Sequence, residues 1–555
     1  MAHRASHSHP STPSPPLPVV LAAPSPAMDA SSPSEEGDVV SMASGAKLIP
    51  VASPPSLREK ETWSGPEDAV TETSHPKALA LEFSTAKKWM ILTVIFLVQT
   101  SMNFNTSLYA NGQAGIAETF NVPYQTTVTG AAVFLITYAF GCELWAPWSE
   151  ELGRKAVLQG SLLLVNICCL PVALAPDGIT SILVGRALGG FFSAGGSVTL
   201  GMVADMFPKE KQEYPLAFIV LSSVGGSIVG PIVGGFVETY LEWQWTIWIQ
   251  LIFGIFVQCL HQILVPETRS TVRLDAHAKY LRNKAINPRA YGPTEHKTWR
   301  QYVVPREVMP IWIRPFRMFV TEPIVSILSL LSGFSDALIF MQIQSFGTVF
   351  KLWDFSIIQT GLAFIPFGLA YILAYLLFIP VIRRNRQLRL LHPESEHAQY
   401  ESRLWCLLYT APCLPIGLLI FAWTSTPTAH WIAPMIGCVF IGIANYTIYM
   451  ATIDYMVAAY GPYSASATGG NGFARDFLAG CLTFAASPYY NDTFHGKFRL
   501  QTANTVLAAI SFGLVLATFC VYYKGAALRR RSPLAISLAA PVLAAAPTAS
   551  MDGIA

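Results

Sequence analysis

The sequence contains unusually little charge for its length. Only 13% of its 555 residues are Asp, Glu, Lys or Arg, whereas 52% are hydrophobic. A soluble globular protein carries about 25% charged residues, so this composition excludes a soluble fold for most of the chain. The formal net charge of +2 is small, and no nucleic-acid partner is expected.

The sequence also lacks the motifs of several enzyme classes. It has no P-loop, HExxH motif, histidine box or nucleophile elbow, so neither ATP-driven chemistry nor hydrolysis is indicated. None of the nine cysteines stands at a CxxC or metal-binding spacing, which argues against a zinc site or a disulfide framework. We therefore expect no enzyme activity, no cofactor and no metal, and an ion gradient as the source of energy.

Long apolar stretches dominate the chain instead. A membrane-spanning helix needs about 20 mainly apolar residues. Twelve stretches meet this need and are called spans 1 to 12: 89–110, 127–147, 156–175, 181–203, 214–236, 243–265, 319–343, 357–381, 404–424, 431–455, 465–487 and 501–523. They predict an all-α membrane protein with twelve transmembrane helices in two six-helix bundles, a layout typical of transporters with a central site.

The polar segments divide the chain into five parts. The first part is rich in Pro, Ser and Ala and is predicted to be a disordered tail. A basic linker separates the first six spans (the first bundle) from the last six (the second bundle). The predicted parts are a tail at 1–85, the first bundle at 86–265, the linker at 266–318, the second bundle at 319–523 and a tail at 524–555.

Lysine and arginine are distributed unequally between the two sets of loops. With the N-terminus inside, the cytoplasmic loops hold twenty of these residues and the outer loops hold three. This asymmetry predicts that both termini are cytoplasmic. It also places Asn491, in Asn-Asp-Thr, outside the membrane, where it is a candidate glycosylation site.

A charged motif joins spans 2 and 3. The chain there reads APWSEELGRKAVL from Ala146, with an acid at Glu150, a tight turn at Gly153 and a basic pair at Arg154 and Lys155. The carboxylate can pair with the arginine or cap a helix, and so hold one conformation as a latch. The alternative is a charged loop that obeys the positive-inside rule.

Span 5 carries small residues along one face. Such a face lets a neighbouring backbone pack closely, and the proline introduces a kink. Ordinary helix packing is the alternative interpretation. The residues concerned are Gly226, Gly230, Pro231, Gly234 and Gly235.

A few charged side chains fall inside the apolar spans, where a charge is costly and therefore suggests function. We predict that Glu143 and Asp336 take part in proton coupling, with Asp454 and Asp476 as further candidate acids, and that Arg186 has a functional role. Arg186 can alternatively reach the outer surface with its long side chain, and Glu143 can alternatively serve as a structural partner.

Polar side chains inside the spans are candidates for lining a substrate cavity. Interhelical hydrogen bonding is the alternative for each of them. Because Arg475 and Asp476 are adjacent on one helix, they are expected to point in different directions, so Arg475 needs another partner or binds an anionic substrate. The predicted cavity residues are Asn103, Asn105, Gln342, Asn445, Tyr449 and Arg475.

These motifs together resemble the major facilitator superfamily, in particular its fungal twelve-span drug:proton antiporter branch. The loop after span 2 is similar to the family pattern G-x-L-a-D-x-x-G-R-K, with Ala146 and Glu150 as departures. Span 5 resembles the antiporter pattern, with Ala217 in place of a first glycine. Span 4 resembles the family's R-x-x-x-G motif, with Gly190 at the small position, which implies that Arg186 takes part in proton coupling. Val265-Pro-Glu-Thr-Arg269 after span 6 matches the fungal form, and the resemblance runs from about residue 85 to 530.

The resemblance implies a proton-coupled efflux transporter in the plasma membrane that rocks about a central site. Its partners are then a small-molecule substrate, protons and the lipid bilayer, and it acts as a monomer. The implied substrate is a small organic secreted metabolite, amphipathic or anionic, such as a glycolipid, polyketide or dicarboxylate. The alternatives are a broad multidrug or polyamine:proton antiporter and a transporter-like membrane sensor.

Overall fold

Helices make up nearly all of the described part of the chain. Among the described residues, the β-bridge between Ala69 and Tyr291 is the only strand-like pairing. The all-α fold class predicted from the sequence is therefore confirmed. The computed structural model describes residues 68–193, 195–295, 305–460, 463–493 and 498–531, which fall within one compact unit.

The helices of the first bundle agree with the first six predicted spans. Span 1 begins after Ser84, whose hydroxyl oxygen accepts a hydrogen bond from the Lys87 amide, and ends at Asn121 in the left-handed conformation. The helices are Thr85–Phe120 (span 1), Tyr124–Glu151 (span 2), Arg154–Leu174 (span 3), Ile179–Phe192 with Gly195–Met206 (span 4), Glu213–Tyr240 (span 5) and Gln244–Leu264 (span 6).

The second bundle contains the other six spans. Span 8 begins with a capping box in which Ser356 and Gln359 satisfy each other's backbone amides. The helices are Pro323–Phe350 (span 7), Ile357–Leu362 with Ile365–Leu391 (span 8), Leu407–Thr410 with Cys413–Thr424 (span 9), Ile432–Tyr460 (span 10), Ser464–Pro488 (span 11) and Arg499–Arg529 (span 12).

Ten helical segments of the described chain are long and apolar enough to cross a membrane. Span 4 falls short because its helix stops at Phe192 and Ser193 turns into an extended conformation before the next helix begins at Gly195. Span 11 has the length, but Arg475, Asp476 and many small polar residues lower its hydropathy.

Residues 68–83 form a short strap on the linker, although the sequence places them in a disordered tail. Ala69 pairs with Tyr291, and Val70 and Leu79 are buried against the linker helix Ser270–Asn283. Arg273 of that helix donates a hydrogen bond to the carbonyl of Ala78. The buried apolar surface explains why this part of the tail is ordered. Residues 524–529, which the sequence places in the second tail, continue the helix of span 12, and residues 1–67 and 532–555 lie outside the described residues.

A helix before span 7, Pro305–Thr321, also lies in the predicted polar linker. Its Phe316 packs against Phe473 of span 11 at 4.8 Å, and its Trp312 packs against Trp148 of span 2 at 5.7 Å. Ile313 of the same helix is exposed. The helix therefore lies across the ends of both bundles at the membrane surface.

The two bundles meet along two main seams. Span 2 packs against span 11, and span 5 packs against spans 8 and 10. We call the end that carries Glu150, Arg269 and Arg403 the basic end, and the end that carries Asn121 and Asp354 the opposite end. The seams place the middle parts of spans 2, 5, 7, 10 and 11 around a common centre.

Candidate functional site

A charged cluster occupies the centre of the interface between the bundles. The guanidinium group of Arg475 lies 3.6 Å from Asp336 and 3.5 Å from Asp476, and its side chain is 4% exposed. It also lies over the ring of Tyr449, 4.1 Å from the ring centre. A buried guanidinium of this kind needs ion pairs and a polarisable ring to offset the loss of water.

The structure answers the question that the sequence leaves open for Arg475. Its additional partner is Asp336 of span 7, so the first of the two alternatives, another partner within the protein, applies. The expected divergence of Arg475 and Asp476 is wrong at the level of the charged groups, because the long arginine side chain folds back to its neighbour. All three residues therefore belong to one ion-pair network.

The cluster also contacts the first bundle. Arg475 donates a hydrogen bond to the hydroxyl of Ser223 in span 5 at 3.2 Å, and Gln99 of span 1 donates to the same oxygen at 3.4 Å. Nearby, the hydroxyl of Tyr446 donates to the carbonyl of Ala217 at 2.9 Å. The bonds of Arg475 and Tyr446 connect the two bundles and must break if the bundles separate at the centre.

Glu143 adds a third buried carboxyl group to this interface. It belongs to span 2, and a Cβ placed on Gly469 of span 11 would lie 2.6 Å from its Oε2 atom. Gly469 precedes Asp476 by two helical turns and so lies on the same face. No hydrogen bond to Glu143 is present within the described part of the chain. The interface thus combines three carboxyl groups with one guanidinium group.

Arg186 lies inside the first bundle, not in the central interface. Its Nη1 atom donates to Asn105 Oδ1 at 2.7 Å, and its Nε atom donates to the carbonyl of Gly130 at 3.3 Å. Its guanidinium group lies between the rings of Tyr109 and Phe134, at 4.4 and 4.1 Å. With 2% exposure it does not reach the surface, and among the described residues no carboxylate pairs with it.

The side chain of Asn105 accepts a hydrogen bond from Arg186. It therefore makes an interhelical hydrogen bond, the alternative to lining a cavity. Two other predicted cavity residues also have partners: Asn103 donates to the carbonyl of Gln99, and Asn445 donates to Ser335 at 3.1 Å. Gln342 differs, because both polar atoms of its buried amide have no partner among the described residues. A buried polar group without a partner is costly, and Gln342 is thus the best placed of these amides to meet a ligand.

The glycine face of span 5 packs directly on span 1. The Ser107 hydroxyl donates to the carbonyl of Gly226 at 3.3 Å, which requires close approach of the two helices. Any side chain on this face would collide with span 1. The pairs are Gly226 with Thr100 and Asn103, Gly230 with Ser107, and Gly234 with Asn111.

Pro231 and Gly235 face the other bundle. A Cβ on Gly361 of span 8 would lie 2.7 Å from the carbonyl oxygen of Pro231, and Gly361 and Gly235 lie in similarly close contact. At the same end, Gln125 of span 2 donates to the carbonyl of Phe484 in span 11 at 2.7 Å. The interface is therefore joined at the opposite end as well as at its centre.

The loop after span 2 is held by two acids in addition to Glu150. Arg154 donates to Asp205 at 3.0 Å and to the hydroxyl of Ser149 at 2.6 Å. Glu150 lies 3.6 Å from Arg154, but its side chain is 41% exposed. The buried partner of the arginine is thus Asp205, at the end of span 4.

A second acid, Glu267, caps the start of span 3. Its carboxylate accepts hydrogen bonds from the backbone amides of Arg154 and Lys155 at 2.9 and 3.1 Å. Gly153 has φ of +100°, and a Cβ there would lie 2.5 Å from Glu267, so both conformation and space require glycine. The sequence analysis missed this role of Glu267, although the fungal motif after span 6 contains the residue and could have indicated it.

At the basic end, ion pairs join the two bundles. Glu213, the first residue of span 5, lies 2.5 Å from Arg389 of span 8 and 3.5 Å from Arg403 before span 9. Arg403 also pairs with Asp454 of span 10. The sequence analysis missed this contact, because its acid and bases are far apart in the chain. With both ends joined, the structure is closed on either side of the central cluster.

Asn491 lies at the opposite end. It is exposed and belongs to the turn Tyr489–Thr493 after span 11. Its position on an exposed turn is accessible to a modifying enzyme.

Comparison with known proteins relates the chain to fungal transporters. Residues 91–483 match the family model of the Major Facilitator Superfamily. The MFS transporter fsa7 of a Fusarium species is 30% identical over 84% of this chain and 88% of its own length. The MFS-type transporter acdC of Aspergillus candidus is 29% identical over 85% and 89%.

The transporter paaT of Penicillium rubens is similar to a comparable degree, with 28% identity over 86% of this chain and 85% of its own. Among solved structures, that of the proton:xylose symporter XylE superimposes with a TM-score of 0.56. The match covers 79% of this chain and 96% of XylE at 14% identity. It supports the two-bundle fold alone.

Proposed function

Because the chain belongs to the Major Facilitator Superfamily and is a multi-pass membrane transporter, not an enzyme, we propose that it exports a small organic metabolite in exchange for protons. The observation that carries this proposal is the buried cluster of Arg475, Asp336, Asp476 and Glu143 between the bundles. A carboxyl group in such a place can bind a proton in one conformation and release it in another.

Charge balance explains why this cluster suits proton coupling. One guanidinium group neutralises one carboxylate, and an uncompensated buried charge is costly. Because Asp336 and Asp476 share the single guanidinium group of Arg475, and Glu143 is buried at the same interface with no cation beside it among the described residues, closure of the two bundles favours proton uptake there. Opening toward water removes this cost and allows the proton to leave. Protonation thereby stabilises the closed state, and closure increases the affinity of the cluster for the proton.

Substrate binding belongs to the same interface in this proposal. Gln342 offers an unpartnered amide and Tyr449 an aromatic ring, a combination that suits an amphipathic molecule. The argument for an anionic substrate becomes weaker, since Arg475 is ion-paired and Arg186 lies inside the first bundle. We therefore propose an amphipathic secreted metabolite.

A cationic amphipathic substrate is a second candidate. The specific observation in its favour is the excess of buried acids, because Asp336, Asp476 and Glu143 outnumber Arg475. A cation bound beside this cluster would replace the missing positive charge. A polyamine or cationic drug would fit this variant of the proposal.

The proposed cycle is a rocking of the two bundles of a monomer in the plasma membrane, with the basic end and both termini in the cytoplasm. The glycine face of span 5 keeps span 1 close while Pro231 and Gly235 seal the opposite end against span 8. Breaking the ion pairs of Glu213 opens the basic end. Asn491 then faces outward and is proposed to be glycosylated.

A comparison of metabolites tests the proposed export. Culture medium and cell extracts of the native organism are analysed by untargeted mass spectrometry, with the gene intact and deleted. The proposal expects one family of compounds to fall in the medium and to accumulate in the cells. If the gene is expressed in the intact strain, and its deletion changes neither the medium nor the cell extracts, dedicated export is contradicted. The charge of the accumulated compound separates the two candidate substrate classes.

A further inference from the structure

A small cavity at the basic end of the second bundle lies apart from the central cluster. Its volume is about 210 Å³, below the roughly 300–1,000 Å³ typical of sites for drug-sized ligands. The end of span 8, the loop that follows it, the start of span 9 and the last turns of span 12 form its wall. Its polar and aromatic lining includes Arg384, His392, Ser395, His397, Trp405 and Tyr522.

Arg384 is the most informative residue of this lining. Its guanidinium group stacks over the ring of Trp405, 3.9 Å from the ring centre. Within the described part of the chain its one polar contact is a long hydrogen bond to Asn385 at 3.4 Å, and no carboxylate pairs with it. Because stacking occupies the face of a guanidinium group, its N–H edge stays free to bind a planar or tetrahedral anion.

Two of the acids near the cavity, Glu396 and Glu401, have other partners, and among the described residues no ion pair joins the exposed Glu394 of the same loop to Arg384. Glu401 is buried against Arg529 and lies 4.0 Å from His397. Glu396 lies 3.3 Å from Arg529 and also pairs with Arg530. The positive charge of Arg384 is therefore not neutralised by these neighbours.

Other side chains around the cavity can donate hydrogen bonds. His392 is the first residue after the helix of span 8 and lines the cavity together with His397, which contributes a second imidazole ring. The hydroxyl oxygen of Ser395 accepts from the amide of Ala398, which leaves its O–H free to donate. A group with several acceptor oxygens would satisfy these donors together.

Aromatic residues place the cavity at the level of the lipid headgroups. Tyr409 packs on Trp405 at 5.2 Å and is 66% exposed, and Tyr523 beside Tyr522 is 74% exposed. Exposed tyrosine and tryptophan side chains mark the membrane–water boundary. Lys524 is exposed beside them and adds positive charge at this level.

We propose that this cavity binds a phosphate group, carried either by an anionic lipid of the adjacent leaflet or by a soluble phosphate compound. Arg384 holds the phosphate oxygens with its free N–H edge, and His392, His397 and Ser395 donate from the sides. The site is separate from the central cluster and goes beyond the proposed transport cycle. The bound phosphate ties span 8 to spans 9 and 12.

A binding measurement on the purified full-length protein in detergent micelles tests this site. The probe is a fluorescent short-chain phosphatidic acid, and Arg384→Gln is compared with the wild-type protein. The loss of a charge-assisted phosphate contact is expected to weaken probe binding about tenfold. The matched control is Arg386→Gln, which removes an exposed arginine of the same helix outside the cavity and is expected to change binding less than about twofold.

Competition separates the two sources of the phosphate. If inorganic phosphate displaces the probe from the wild-type protein, the cavity binds a soluble phosphate compound. If phosphatidic acid competes and inorganic phosphate does not, the ligand is a lipid headgroup. Either result supports the site, whereas equal probe affinity of Arg384→Gln and wild type overturns it.

A second variant keeps the test valid if Arg384→Gln fails to fold. Arg384→Lys retains the charge but loses the forked donor edge, so probe binding is expected to fall between the wild-type and glutamine values. Thermal unfolding and size-exclusion profiles verify that each variant is folded. If Arg384→Lys binds the probe as tightly as the wild-type protein does, the bidentate contact is contradicted.

Discussion

At the scale of single residues, the balance of charge around Arg475 distinguishes the central interface from the rest of the bundles. Asp336 and Asp476 pair with it directly, and Glu143 approaches from the other bundle. These groups are buried where the two halves meet, so their surroundings must change when the halves move. The proposed coupling depends on this change and not on any one hydrogen bond.

Asp336→Asn tests whether a titratable group at this position is needed. The amide has nearly the same shape but cannot exchange a proton, so export is expected to fall at least about a hundredfold, the lower end of the range for loss of a general acid–base group. Export is measured as efflux of the metabolite from cells that express the variant at a normal level. Asp354→Asn, in an exposed turn outside the bundles, serves as the control. Unchanged proton-driven efflux by Asp336→Asn would refute its part in coupling.

Arg186→Gln tests a different role. Because Arg186 is held by Asn105, Gly130 and two aromatic rings inside the first bundle, the variant is expected to lose about 2–4 kcal/mol of stability. Thermal unfolding of the purified protein measures this loss. A variant with wild-type stability and no transport would instead assign Arg186 to proton coupling, as the family resemblance implies.

Residue types were easier to predict than residue partners. The acids and arginines inside apolar spans stand out in the sequence because lipid disfavours them. Their pairing joins residues far apart in the chain, such as Arg154 with Asp205 and Glu267, and depends on helix packing that no local pattern contains. The sequence identified Glu150, which does pair with Arg154, but for the same reason it missed Asp205 and Glu267.

At the scale of helices, the small face of span 5 determines how closely spans 1 and 5 approach. The spacing of its glycines predicted close packing, and the structure identifies span 1 as the neighbour. The break in span 4 was not predicted, since the apolar run continues through Ser193. The helix Pro305–Thr321 was also not predicted, because its arginines resemble a polar linker.

Gly230→Ala tests the packing of span 5. The added methyl group would collide with Ser107 of span 1, so the variant is expected to lose about 1–3 kcal/mol of stability and much of its export. Gly225→Ala is a matched control on the same helix, because no atom lies within 4 Å of its Cβ position. Thermal unfolding and efflux are measured for both, and equal behaviour of the two variants would show that close packing on this face is unimportant.

At the scale of the whole molecule, two sets of contacts hold the bundles closed. Glu213 joins span 5 to Arg389 and Arg403 at the basic end, and Pro231 with Gly235 meets Gly361 at the opposite end. An exporter must open these ends in turn. The six-plus-six layout predicted the two bundles, but the contacts between them follow only from the folded structure.

Glu213→Gln tests the contact at the basic end. Loss of the buried charge leaves Arg389 and Arg403 without their shared partner, so the population that is open at the basic end is expected to rise at least about tenfold. Electron–electron distance measurements between spin labels on spans 5 and 8 detect this shift. Glu238→Gln is the control, because Glu238 contacts Asn111 within the first bundle. Identical distance distributions for Glu213→Gln and wild type would contradict a gating role.

The most direct test of proton-coupled export measures both fluxes in one system. The full-length protein is reconstituted into liposomes that contain a pH-sensitive dye and the metabolite identified by the comparison of media. An imposed proton gradient is expected to drive the metabolite against its own gradient while protons move in the opposite direction, and Asp336→Asn is expected to abolish both movements. Metabolite flux that is independent of the proton gradient, with no matching change in pH, would contradict the account.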